Sequence, residues 1–196
     1  MPKVSEEYRE ARRDEIARAA LRCLERKGVR DTSIADIVEE SGLSTGAIYS
    51  HFTNKGELAR YIVGRFLLPR IDGLEAAGAR GDIVPPREAL RGMLGVFDEA
   101  GLKASLVLQF WGEAMVEPAL QEQLVITAGR LRGSLEIAIG PWAATQTESD
   151  AEAATLAAAT ARSIAALAQG YIANVAVFGP REIDDYISSA IAVLES

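Results

Sequence analysis

Apolar positions along this chain recur three and four residues apart, the spacing of a helix face, and no stretch alternates with the period of a strand over any length. The pattern predicts an all-α fold of about nine helices. Ile16, Ala20, Cys23 and Leu24 mark the inner face of a first helix over 10–27, which Gly28 should end; Arg12, Arg18, Arg22 and Arg26 occupy its opposite face. Thr32 or Ser33 can cap a second helix with Ile34, Ile37 and Val38 turned inward, and Asp36 stands where a capping box needs a carboxylate. Gly42 can take the left-handed conformation that ends this helix, and Leu43 supplies an apolar plug behind the turn. Ser44 can cap a third helix that starts with Thr45, Gly46 and Ala47 on its exposed side and carries Ile48 and Phe52 inward. Asn54 caps a fourth, with Leu58, Tyr61, Ile62, Phe66 and Leu67, which Pro69 should bend or end.

Glycine and proline then set the punctuation. Gly73, Gly78, Gly81, Pro85 and Pro86 predict a linker over 73–86. Further helices are expected over 86–99, 103–115, 117–139, 149–178 and 180–194, separated at Gly101, Pro118, Gly140-Pro141 and Gly179-Pro180. The organisation this implies is a helix-turn-helix domain over 1–53, a connecting helix over 54–77 and a helical domain over 78–196.

Two short helices about Gly42-Leu43 are the outline of a DNA-reading device, in which the first turn of the second helix enters the major groove. Thr45, Gly46 and Ala47 are therefore expected at base edges: the small residues allow close backbone approach, Ala47 can offer its methyl to thymine, and Thr45 a hydroxyl or a methyl. Thr32, Ile37, Gly42, Ser44, Gly46, Tyr49, His51, Phe52, Lys55 and Leu58 also fall in register on the helix-turn-helix of the TetR-type bacterial transcriptional regulators, which the first third of the chain resembles. Val38 departs from the usual alanine, and Ala35 and Thr45 stand where such proteins often carry Arg or Lys, so that fewer phosphate contacts and a weaker salt dependence are expected. The resemblance implies that Thr32 or Ser33, Ser44, Tyr49, His51 and Lys55 contact phosphates, which fix the register of docking and carry little sequence information. It also implies a homodimer on a palindromic double-stranded operator, and a C-terminal domain enclosing a small-molecule pocket. Phe110-Trp111-Gly112-Glu113-Ala114 followed by Pro118-Ala119-Leu120 resembles the ligand-binding half of one subgroup.

Charge separates the two parts. The chain has 196 residues and a net charge of -7, which argues against a general polyanion binder. Residues 1–70 nevertheless hold 13 Lys or Arg against 11 Asp or Glu, whereas the rest holds 8 against 17. Only the first part suits a phosphate backbone, and Lys3 and Arg9 near its start can reach one. Cys23 is the single cysteine, which excludes an internal disulfide and a cysteine-built metal site; its helical spacing predicts a buried thiol. The first residues are polar, without the pattern of a signal peptide, and a cytoplasmic protein is expected. Residues 155–178 imitate a membrane span, but nine of these 24 are Ala and Arg162 lies mid-way, where insertion would cost about 2.5 to 3.5 kcal/mol. They predict a buried helix with no membrane partner.

Candidate chemistry favours binding over catalysis. His51 is the only histidine and has neither a nucleophile nor companion metal ligands near it in sequence. Asp98-Glu99 and Asp184-Asp185 are adjacent carboxylates that point about 100° apart on a helix, as a solvated face does. No catalytic residue, metal or cofactor is expected. Met93, Phe97, Phe110, Trp111, Met115 and Tyr171 are large groups able to surround a largely apolar effector, with Gln109, Glu113, Gln169 and Asn174 as polar anchors. Ile183, Ile187, Ala190, Ile191 and Leu194 form an apolar stripe at helical spacing, and Ala158 and Ala165 on the Ala-rich helix before it permit close approach; together they are the expected dimer surface, with intrachain core as the other reading of the stripe. The expected function is thus a transcriptional regulator, a repressor released by a small molecule. A ligand-independent regulator or architectural protein is one alternative, and a carrier or enzyme another.

Overall fold

The computed structural model describes residues 5–99 and 102–194, except for the side chains of Lys55, Phe66, Leu67, Arg70, Asp98, Glu99, Ala119 and residues 191–194. Expectations resting on Lys3, Gly101 and the side chains of Lys55, Ile191 and Leu194 lie outside the described residues. All regular structure among them is helical. Helix α1 (Glu6–Asp31) is broken at Gly28, whose φ of 82° and ψ of 170° leave one last turn beyond the kink. Next come α2 (Ile34–Ser41), α3 (Thr45–His51) and α4 (Lys55–Ile62), each opened by the cap its sequence predicts. Ser33 Oγ accepts from Asp36 N at 3.2 Å while Asp36 Oδ2 accepts from Ser33 N at 2.7 Å, so two orphan donors at the start of α2 are satisfied reciprocally. Gly42 ends α2 in the left-handed region, with φ 68°.

Pro69 does not end the fourth helix. A π-helical turn, Val63–Leu67, joins α4 to α5 (Leu68–Ala79), with Leu68 N donating to Val63 O. The wider turn accommodates a residue that has no N–H and whose ring clashes with an ordinary helical turn. Helix α5 also runs through Gly73 and Gly78, which replaces most of the expected 73–86 linker. The cost of glycine inside a helix is offset by packing: α5 crosses α9 (Pro118–Ala144) so closely that a methyl on Gly78 would stand 2.5 Å from Ala138 Cα and closer still to the Ile137 carbonyl oxygen. That carbonyl faces Pro141 one turn on, which cannot donate to it, and α9 continues through Gly140-Pro141 to Ala144 rather than stopping at 139.

The remaining elements are α6 (Pro86–Leu94), α7 (Val96–Glu99), α8 (Ala104–Ala114), α10 (Asp150–Phe178) and α11 (Ile183–Leu194). Buried apolar residues fall into two clusters. Ile16, Ala20, Cys23, Ile37, Ile48, Phe52, Leu58 and Ile62 join α1 to α4, and Leu90, Leu94, Leu135, Ile139, Ile164 and Ile187 lie in a second cluster built by the later helices. No helix among the described residues is long and apolar enough to cross a membrane.

Candidate nucleic-acid interface and effector cavity

Helix α3 is set by what it buries. Ile48 and Phe52 are fully buried, leaving Ser44, Thr45, Gly46, Tyr49 and Ser50 on the exposed side and Ala47 half-buried. Tyr49 is 49% exposed, and Ser50 Oγ returns to Ala47 O at 2.7 Å. Phe52 packs edge-on to Tyr61 at 5.4 Å between centroids, and the Arg13 guanidinium lies over both rings, at 4.6 and 4.7 Å. Tyr61 donates to Asp14 at 2.7 Å, and Asp14 also receives two donors of Arg65. The Arg65 hydrogen bond leads in holding the Asp14 carboxyl below the usual carboxylate range, against the effect of its burial, so the charged pair ties α1 to the π-helical turn while Tyr61 ties it to α4.

The basic face of α1 is largely paired. Arg22 and Arg26 both donate to Glu40, at 2.6 and 2.7 Å, and Lys27 pairs with Asp36 at 2.6 Å; these ties bind α1 to α2. Nearer the start of α1, Arg12 pairs with Glu15 at 2.6 Å and Arg13 with Glu57 at 3.6 Å, and the charges of Arg9, Arg12 and Arg13 act on His51 at the end of α3. Burial first, then these three arginines, lower the His51 pKa, and its Nδ1 is buried without a partner. This cationic corner combines the lone histidine with α1 residues 38 to 42 positions earlier, which sequence spacing does not associate.

Thr32 is not available to a phosphate. It is 2% exposed and its hydroxyl donates to Gly28 O at 2.7 Å, so the helix cap falls to Ser33 alone. Ser33 is exposed, as is Ser44, whose Oγ accepts from Ala47 N.

Between the two cores lies a cavity of about 920 Å³. Met93, Phe97, Phe110 and Trp111 line it as the sequence predicts, together with Glu113, Gln169 and Ala165. Met115, Tyr171 and Asn174 do not. Met115 is 80% exposed in the turn after α8. Tyr171 is buried in the aromatic packing with Phe97 and Tyr186, and its hydroxyl donates to Arg181 O at 2.9 Å. The wall that sequence reasoning missed is α9, through Leu120, Leu124, Thr127 and Leu131; that spacing was legible as a stripe, but a stripe does not say whether it faces a solid core or a void. Leu24, Val29, Thr32 and Ile37 also line the cavity, so it is walled in part by the helix-turn-helix unit itself.

The described part of the stripe on α11, Ile183, Ile187 and Ala190, is intrachain core. Ile187 is fully buried and Ile183 and Ala190 nearly so, because α11 packs against α6 and α10; Arg87 donates to Ser188 at 2.9 Å and Arg91 pairs with Asp184. Ile183, Ile187 and Ala190 thus have almost no surface left for a second chain. Ala158 is half-buried, and Ala165 faces the cavity. The exposed side of α10 carries Ala159, Arg162, Ala166 and Gly170, and ends in Val177 and Phe178.

An anchored, uncharged reading helix on a helix-turn-helix unit, backed by an all-helical domain with a cavity, defines a class of DNA-binding regulator. The family model for bacterial regulatory proteins of the tetR family matches residues 16–62. The chain is 42% identical over 62 residues to the uncharacterized HTH-type transcriptional regulator YfiR of Bacillus subtilis, covering 32% of this chain and 30% of that protein. It is 30% identical over 142 residues to the HTH-type transcriptional regulator BetI of Paraburkholderia phymatum, covering 69% of each. The crystal structure of a putative TetR-family transcriptional regulator from Syntrophomonas wolfei superposes with a TM-score of 0.73 at 19% identity, covering 95% of this chain and 94% of that one, and so shares the fold. The chain belongs to the TetR family of bacterial regulatory proteins.

Proposed function

We propose that the protein is a cytoplasmic, homodimeric repressor that leaves its operator when a largely apolar small molecule enters the cavity. The observation that carries the proposal is the shared wall: Phe110 and Trp111 of the C-terminal domain and Thr32 and Ile37 of the DNA-binding unit border one space. An occupant that changes this wall changes the position of α2 and α3. The lining is mostly aliphatic and aromatic, with Glu113, Gln123, Thr127 and Gln169 as polar groups able to orient a ligand. Helix α4 also borders the cavity through Leu58 and Ile62, so its movement can alter the spacing of two recognition helices. A ligand preferring the released state about 100-fold supplies about 2.7 kcal/mol, and full reversal from 1:99 to 99:1 needs about 5.5 kcal/mol.

A second copy supplies what one α3 lacks. Thr45, Gly46 and Ala47 span few base pairs, and a two-fold dimer reads two half-sites about 34 to 36 Å apart, or a multiple of it. The outward face of α10, with Ala159 and Ala166, supports close helix packing about that two-fold. The direct test mixes the purified protein with DNA upstream of its own coding sequence, with and without small molecules recovered from the preparation by mass spectrometry. A retarded complex that the recovered compound dissolves is the expected result. Stable binding whatever is added would favour a ligand-independent regulator, and no binding with turnover of a compound would favour an enzyme or carrier.

Within the interface, Tyr49→Ala is expected to weaken binding to operator and random DNA alike, by about 1 kcal/mol, whereas Thr45→Ala changes the preference between sequences by about 1–3 kcal/mol. Competition titrations with both DNAs separate these effects; equal losses from both variants on both DNAs would remove the division of roles.

His51 gives a dependence on pH. Its folded-state pKa lies below the ordinary histidine value of about 6.5, so the free protein holds it neutral near neutrality. A phosphate beside it favours the protonated form and raises that pKa. Operator affinity should therefore rise as pH falls through the range below about 6.5, by up to about tenfold for each unit by which DNA shifts the pKa. Stability runs the other way: a depressed histidine pKa leaves its share of stability intact above about 6.5 and loses it as pH falls through the folded value. His51→Gln should flatten the affinity profile, read by fluorescence anisotropy between pH 5.5 and 8 at constant salt, about the range in which histidine titrates.

A further inference from the structure

The kink at Gly28 removes the helical acceptor of the next amide, and the replacement comes from the other domain. Val29 N donates to Gln109 Oε1, on α8, at 2.9 Å across 80 positions of sequence. Gly28 permits this in two ways: its φ of 82° suits glycine, and a Cβ there would stand 2.7 Å from the same Oε1. From the opposite side, the carbonyl of Gly28 accepts the Thr32 hydroxyl, and Thr32 directly precedes the cap of α2. Lys103 Nζ, at the start of α8, lies 3.3 Å from Glu25 and adds a second tie along the same seam. The residues that follow Gln109 on α8, Phe110 and Trp111, line the cavity, which Val29 and Thr32 border from the DNA-binding side.

We propose that Gln109 is the positioning residue that couples the cavity to DNA binding: its amide oxygen holds the last turn of α1, and through Thr32 the start of α2, where the reading helix fits DNA. An occupant that displaces Phe110 and Trp111 draws Gln109 off Val29 and frees that turn. This rests on the reading of the protein as a ligand-responsive DNA binder, and it places the transmission at the seam of α1 and α8, in addition to movement of α4. The hydrogen bond is exchanged, not lost: water takes up Val29 N–H and the Gln109 amide in the released state.

Two variants of the full-length protein separate positioning from packing. Gln109→Leu removes the acceptor, and Gln109→Glu keeps a side-chain oxygen at the same reach. DNA selected from a random-sequence pool by the wild-type protein serves for affinity, and hydrogen exchange of the segment 28–38 reports the hold on Val29. The expected result is about threefold to tenfold weaker DNA binding by Gln109→Leu with faster exchange at Val29, while Gln109→Glu stays within about twofold of wild type. The apolar fluorescent dye 8-anilinonaphthalene-1-sulfonate serves as cavity probe; at saturation it should speed exchange of 28–38 in the wild type and change it little further in Gln109→Leu. Equal DNA binding and exchange in wild type and Gln109→Leu overturns the proposal, as does an equal loss in Leu and Glu, which marks packing. Dye that binds without altering exchange overturns the coupling, and absence of dye binding counts against both the cavity and the coupling. If the wild type selects no DNA, the DNA-binding reading fails, while the exchange comparison still decides whether Gln109 holds Val29.

Discussion

Replacing Gly78 by alanine should lower the melting temperature by about 6–12 °C, although the same exchange in an open helix stabilises it by about 1 kcal/mol. The reversal of sign follows from what the methyl would meet. Its nearest neighbours are the Ile137 carbonyl oxygen and Ala138 Cα, both backbone atoms of α9, so no side-chain rotation can make room. Helices α5 and α9 must separate, which opens the cluster containing Leu74, Leu135 and Ile139. Overpacking that displaces backbone costs about 3 kcal/mol, the upper end of the usual range. For a chain of this size each kcal/mol moves the midpoint by about 2–4 °C. Circular dichroism melting of Gly78→Ala beside Gly73→Ala, where an added Cβ meets nothing within 4 Å, isolates the crossing. Equal midpoints for the two would show that α5 and α9 do not approach this closely.

Phe52→Ala should destabilise the DNA-binding unit by about 3–5 kcal/mol and abolish most operator affinity at physiological temperature. The ring is 1% exposed and holds three things together: Tyr61 edge-on, the Arg13 guanidinium over its face, and the end of α3 against α1. Arg13 Nε is buried without a hydrogen-bond partner, so the two aromatic faces are a principal constraint on the side chain. Truncation leaves a void and loosens an arginine at once. Because α3 is a helix of 7 residues with little stability of its own, its position depends on such anchors. Phe52→Leu, which keeps most of the apolar volume, should retain far more DNA binding; anisotropy titrations with thermal melts decide, and unchanged affinity in Phe52→Ala would refute the anchoring role.

The interface and the cavity differ in how far they could be read from residues alone. Ser33 with Asp36, Gly42, Ser44 and Asn54 act within four residues of their partners, so caps and turn were legible locally. The same local logic failed at Gly73, Gly78 and Pro141, where it predicted breaks and the chain stays helical. There the energy comes from α5 meeting α9, and no window of sequence contains both. Thr32 shows a finer version: a threonine before a helix can face solvent, but the Gly28 carbonyl brought over by the kink captures its hydroxyl.

What the sequence determined by itself is therefore the all-helical class, the helix-turn-helix and the buried faces of its two short helices, because caps and apolar periodicity act over one or two turns. Only the tertiary structure decided which apolar stripe meets which. It turned Ile187 into the chain's own core, put Met115 in solvent, set α9 against the cavity, and brought Gln109 to Val29 and three arginines to His51. The reason is physical: burial of an apolar stripe lowers free energy whichever partner covers it, and the partner is chosen by the geometry of helix crossings and by contacts between residues far apart along the chain.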